Sequence, residues 1–348
     1  MADVLGRTPA ELRRRVGRLS QVARVDQFVE ADGPARGARR LRMVNGGGIE
    51  LEVHPDRCLD LGAVTVGGLP LSWTSASGMT APAAFEADGD EWLRTFGGGL
   101  LATCGLDTFG PPSRDRDTSL GLHGRVGAQP AELTRCEATA TEVVVEGRVR
   151  QAKLFGENLV LHRRISSELG SDRVVLRDVV TNEGFDDSPH MILYHVNLGW
   201  PLLDEDAVLR LPAATTVARD EDARAGLDAW QELTAPRAGW REQVYRHEFG
   251  DADRVAVGID NARLGLSLEL EFATAQLPWL YQWKMLGEGA YVVGLEPTNC
   301  GVVGGRAAAR AAGQLPTLAA GESVTYELAF VLRRAGVPVG AERKSVAA

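Results

Sequence analysis

From about Val25 to Leu332 the chain keeps to one pattern: short runs rich in β-branched residues, interrupted by glycine, Asp-Gly and proline. That pattern is the signature of many strands joined by turns. The clearest strands are Glu142 to Val149, Leu159 to Ser166, Arg173 to Asn182, Val255 to Asp260, Leu266 to Phe272, Tyr291 to Leu295 and Ser323 to Leu332. Several alternate polar with apolar residues, as the stretch from Arg173 to Val180 does, so one face is buried and the other wet. No helical pattern of about 10–15 residues separates the strands, which counts against a parallel βαβ sheet. The expected fold class is all-β, a large antiparallel β-sandwich.

One helix is expected, near the start. Thr8 is a capping residue, Pro9 takes the first helical position and Glu11 stands three after the cap; Leu12, Val16 and Leu19 follow at helical spacing. The helix should cover roughly Pro9 to Val22. All-β sandwiches often run long as one unit, so 348 residues need not mean two domains. The expectation is a single domain over residues 1–334 and an unstructured, alanine- and charge-rich tail over 335–348.

The overall charge narrows the choice of partner. A net charge of -9 should repel a phosphate backbone, and the arginines at Arg13 to Arg15 and Arg36 to Arg40 have no interleaved aromatics for base stacking, so nucleic acid is not expected. No apolar run approaches the ~18–20 residues of a membrane helix, and the N-terminus lacks a signal-peptide stretch, so no membrane association and a cytoplasmic location are the default. Cys58, Cys104, Cys136 and Cys300 form no C-x-x-C pair and are expected to be reduced, mostly buried thiols.

Six histidines are present, and sequence context separates them. His162 lies inside an alternating strand and His247 in a polar stretch. His123, before Gly124, and His195, near Gly199, are polar side chains set in apolar sequence beside glycine, which places them at strand ends. Glu296 follows the buried-looking run Tyr291 to Leu295, where a carboxylate is costly unless paired or functional.

These segments, taken in order, resemble the aldose 1-epimerase (galactose mutarotase-like) superfamily. Leu122-His123-Gly124 resembles its first histidine motif. Val179 to Gly184 followed by His195-Val196-Asn197-Leu198 is similar to its Thr-Asn turn and second histidine motif. Gly294-Leu295-Glu296-Pro297 resembles the segment bearing its catalytic glutamate, and Leu318 to Glu322 its carboxy-terminal end; together the matches span roughly residues 40 to 333. The resemblance implies a galactose mutarotase-like supersandwich that interconverts sugar anomers with no cofactor and no metal. It implies His195 as general acid at the ring oxygen, Glu296 as general base at the C1 hydroxyl, and His123 as a residue that holds a hydroxyl or assists the acid.

Further candidates surround that pair. Arg57 and Asp60 sit where the family carries an arginine that contacts the sugar, although a surface salt bridge is an equal reading for Arg57. Arg57 and Arg125 are the arginines available to grip an acidic substituent. Asn197 belongs to the second histidine motif. Trp283 could stack on a sugar face or pack in the core, and Lys284 could bond a hydroxyl or an acidic group. His190 points opposite to His195 by strand alternation. Gly97-Gly98-Gly99 reads as a tight bend near the cleft, and Asp107 lines the same region or lies on the surface. Three alternatives stay open: a metal-dependent sugar isomerase using His123, His190, His195 and Glu296, a noncatalytic carbohydrate-binding protein, and a sugar-phosphate epimerase. Oligomeric state is not legible.

Overall fold

The computed structural model describes residues 4–336. Two antiparallel sheets face one another. An eleven-stranded sheet runs in the order Arg24–Val29, Arg39–Val44, Ile49–His54, Asp60–Val66, Leu101–Cys104, Leu193–Gly199, Ala290–Thr298, Trp279–Gly287, Gln243–Glu248 and Thr215–Ala218, with Leu69–Pro70 paired beside Asp60–Val66. An eight-stranded sheet runs Ala131–Ala138, Glu142–Ala152, Asn158–Glu168, Arg173–Asn182, Ser323–Arg334, Leu266–Ala273, Arg254–Asn261 and Val208–Arg210. Each strand expected from alternation is present, most of them a few residues longer.

Period-two alternation explains the core. Val143, Leu161, Leu176, Leu268 and Phe330 from one sheet join Leu41, Leu51, Leu61, Leu101, Val196 and Leu295 from the other in one buried cluster. Arg163 shares the inward parity of Leu161 and Ile165 and is fully buried. Its guanidinium grips Asp178 through Nε (2.9 Å) and Nη2 (2.7 Å), and Nη1 reaches Asp60 of the opposite sheet at 3.1 Å. Tyr194 completes the network by donating to Asp178 at 2.8 Å.

A second, smaller apolar cluster covers the outer face of the eleven-stranded sheet: Trp92, Phe96, Leu193 and Tyr281, with Trp73, Trp283 and Ala102 packed against it. Central strand Leu193–Gly199 is therefore buried on both faces.

The N-terminal helix is shorter than expected. It covers Pro9–Arg13, with the capping box between Thr8 and Glu11 in place, and a separate 3-10 turn follows at Leu19–Gln21. The glycine at Gly17, a poor helix former, weakens its continuation. Helix Gly305–Ala311 was not foreseen. Residues 337–348, most of the expected tail, lie outside the described residues. Among the described residues no helix is long and apolar enough to cross a membrane.

Candidate active site

His195 lies mid-strand, opposite Ala102 on one neighbour, while the next residues pair Val196 with Leu295 and Asn197 with Gly294 on the other. Glu296, two residues beyond Gly294, shares its face. Gly294 makes the meeting possible: a Cβ there would lie 2.6 Å from Glu296 Oε1, 3.0 Å from Trp283 Cβ and 3.4 Å from His195 Cε1. In its absence His195 Nε2 stands 3.3 Å from Glu296 Oε1, and each residue is only 5% exposed.

Unpaired polar atoms gather here. His195 Nδ1, Glu296 Oε1, His123 Nδ1, Asn197 Oδ1 and the Tyr281 hydroxyl are buried and have no hydrogen-bond partner in the protein. The His123 and His195 rings are 5.8 Å apart, and Tyr281 lies directly across from Glu296 on the neighbouring strand. Folded proteins pair nearly all such groups, so a concentration of orphans marks a place prepared for polar ligand atoms.

Aromatic rings wall the site. Phe96, Trp283 and Trp92 stand 5.2, 5.4 and 6.5 Å from the His195 ring, and Trp92 stacks on Phe96 at 4.3 Å. The Trp283 indole donates to Glu242 at 2.9 Å, which fixes the ring. Beyond Trp92, Phe96 and Ala102 lies a hollow of about 280 Å³ whose wall also carries Arg57, Asp60, Thr80 and Gly97 to Gly99. The dyad lies behind these aromatics rather than on the hollow's own surface.

Burial sets the protonation of the pair. It pulls His195 down to about 3, with neighbouring His123 acting in the same direction and Asn197 partly opposing it. It pushes Glu296 up to about 8, reinforced by Glu242 and opposed by Arg219. His123 is lowered to about 4 by burial alone. Between about 3 and about 8 the pair therefore holds a single proton, and burial favours its residence on the carboxyl.

The other sequence candidates divide. His123 adopts a left-handed backbone at φ 58°, which turns its ring onto Trp92 at 4.8 Å and toward His195. Arg57 lines the hollow and donates to Thr80 Oγ1 (3.2 Å) and the Thr95 carbonyl (3.0 Å), so the salt-bridge reading does not hold. Asp60 stands in the same wall, but its carboxylate already accepts from the Thr103 amide (3.0 Å) and hydroxyl (2.6 Å) and from Arg163. Asn197 donates to the carbonyls of Gly99 (3.1 Å) and His195 (2.9 Å), locking the glycine bend beside the histidine.

Lys284 and Arg125 are corrections. Alternation puts Lys284 on the sheet face opposite Trp283, where Nζ donates to the Ala229 carbonyl at 2.7 Å. The positive-φ turn at His123 and Gly124 carries Arg125 away from the hollow's wall, to the side of Asp107 and Thr108. Asp107 itself is buried, accepting from Arg306 and Gln151. His190 faces away from His195, its ring nitrogens engaged by the Leu106 carbonyl (3.0 Å) and Tyr326 hydroxyl (2.9 Å). Among the described residues no three of His, Cys, Asp and Glu converge as a metal-ligand set.

Sequence reading missed Trp92, Phe96 and Trp73, which sit in irregular or very short segments where no periodicity exists to place them. It also missed Arg163, whose inward parity with Leu161 and Ile165 was the available signal.

Known proteins share this fold. A protein provisionally described as an aldose 1-epimerase from Klebsiella pneumoniae has a similar structure, with a TM-score of 0.82 and 24% identity over 88% of this chain and 83% of that one. A galactose mutarotase-like protein from Clostridium acetobutylicum superposes with a TM-score of 0.61 at 12% identity, covering 89% of this chain and 98% of its own. The galactose 1-epimerase of Lactobacillus acidophilus gives 0.58 at 12% identity over 89% and 98%. Comparison with curated proteins finds no match. A family model described as "Domain of unknown function (DUF4432)" matches residues 35–332. The fold is thus that of the aldose 1-epimerase and galactose mutarotase-like superfamily, and the chain belongs to the DUF4432 family.

Proposed function

We propose that this protein is a carbohydrate-active isomerase that interconverts the anomers of a free sugar by acid–base ring opening. The observation that carries the reading is the His195–Glu296 approach at 3.3 Å amid unpaired polar atoms and aromatic walls. The solved structures described as aldose and galactose 1-epimerases support it through their shared fold.

Anomer exchange needs one proton delivered to the ring oxygen and another removed from the C1 hydroxyl. The C1–O5 bond breaks, the aldehyde rotates, and the ring closes on its other face with the two transfers reversed. In the sense implied by the motifs, His195 gives and Glu296 accepts. Burial favours the opposite start in the empty site, with the proton on Glu296. Since closure retraces opening with roles exchanged, a pair holding one proton serves in either sense. Each positioned transfer contributes about 10²–10⁴-fold. Trp283 and Trp92 offer apolar faces to a sugar ring, and His123 stands close enough to hold a hydroxyl.

Polarimetry on freshly dissolved single anomers tests the reading. Wild type should accelerate the approach to equilibrium for at least one aldose or sugar acid, and His195→Ala or Glu296→Gln should abolish it with the circular dichroism spectrum unchanged. Saturable sugar binding without acceleration would instead establish a noncatalytic carbohydrate-binding protein.

A further inference from the structure

The hollow beside the dyad contains a charge that no carboxylate answers directly. Its other charged wall residues are engaged: Arg40 lies between Glu30 (2.5 Å) and Glu52 (2.9 Å), and Asp60 is held by Arg163 at 3.1 Å. Arg57 differs. Its partners are the Thr80 hydroxyl and the Thr95 carbonyl, both neutral, and among the described residues no carboxylate comes within 4.0 Å of it. Burial lowers its pKa, and the field of Asp60 only partly restores it.

The backbone holds this cation in place. Cys58 and Leu59 follow it with φ of 58° and 56°, a left-handed turn that non-glycine residues seldom adopt. Across that strained turn the two wall residues take different partners: Asp60 is tied to the core network through Arg163, whereas Arg57 meets only Thr80 and the Thr95 carbonyl. A guanidinium set in a wall with only neutral partners pays a desolvation penalty that an anionic ligand relieves.

We infer that the hollow takes a sugar acid carrying one carboxylate, which docks on Arg57 with its ring against the Trp92 and Phe96 wall that stands between the hollow and His195. A single unpaired guanidinium matches a monoanion; the second charge of a phosphate would lie uncompensated near Glu52 and Asp60. The volume, about 280 Å³, sits at the small end of ligand sites and suits one monosaccharide. That the carboxylate belongs to a sugar rests on the proposed anomerase reading; the carboxylate subsite does not.

Isothermal titration of the full chain tests the inference, with glucuronate and galacturonate compared against glucose, galactose and glucose 6-phosphate at one ionic strength. A uronate should bind roughly tenfold or more tightly than its neutral counterpart and than the sugar phosphate. Arg57→Gln should bring the uronate-to-neutral ratio near one with the circular dichroism spectrum unchanged, and Arg57→Lys should keep part of the preference. Failure of both uronates to bind, equal binding of neutral sugars, preference for the phosphate, or a preference that survives Arg57→Gln would each overturn it. Anomer exchange on the same sugars is read separately by NMR: a uronate bound without accelerated exchange contradicts the anomerase reading and upholds the subsite, whereas exchange with no uronate preference does the reverse.

Discussion

Glu296 is held in a form that its surroundings make unusual. Its folded pKa of about 8 lies above the ordinary 4.5, so the stabilisation from holding the proton is complete below 4.5 and is lost as pH rises through 8. Glu296→Gln loses nothing over that range, so its melting temperature relative to wild type should climb from about pH 5 to about pH 9, a trade of stability for reactivity. A constant difference would show that the carboxyl is not perturbed. The same titration governs rate: kcat/KM should be level between about 3 and about 8 and drop roughly tenfold per pH unit above that range, as the pair loses its one proton. Gly294 gives a sharper test of geometry. Gly294→Ala places a methyl 2.6 Å from Glu296 Oε1, which the side chain can escape only by moving away from His195. Anomer exchange should fall about 10²-fold with little change in melting temperature; retained activity would show that the contact is not the working one. Glu296 was legible in the sequence because a carboxylate in a run of buried residues has few bland explanations. Lys284 misled because adjacency to Trp283 along a strand means opposite faces in space.

At the scale of elements, the two sheets are tied by more than apolar contact. Arg163, on Asn158–Glu168, binds Asp178 on the neighbouring strand and Asp60 across the sandwich. Arg163→Met would strand two buried carboxylates and should cost about 3–5 kcal/mol, read as a lowered denaturation midpoint. Adding Asp178→Leu should recover part of the loss; full additivity of the two changes would show that they are not one network. Most strands were legible because a sheet with one buried face writes its period into the sequence, as the stretch from Arg173 to Val180 does. Segments on the outer face carry no such period. Trp92 sits in a four-residue 3-10 turn and Phe96 in a loop, so only tertiary packing reveals them as the wall over His195.

For the molecule as a whole, the shared core implies one cooperative unit. None of the seven tryptophans lies on a strand of the eight-stranded sheet, so indole fluorescence follows the rest of the molecule while far-ultraviolet circular dichroism follows both sheets. The two denaturation curves should coincide; separate transitions would mean that the sheets unfold independently and that the single-domain expectation is wrong. The architecture brings together two side chains about a hundred residues apart, on adjacent strands of one sheet. If they act as one proton-transfer unit, removing either should do nearly all the damage of removing both. NMR exchange spectroscopy on a responsive sugar measures this directly, with wild type, His195→Ala, Glu296→Gln and the double variant compared. The account predicts that all three variants lose exchange to a similar, severe degree. Near-wild-type exchange in either single variant, or losses that multiply in the double, would contradict it.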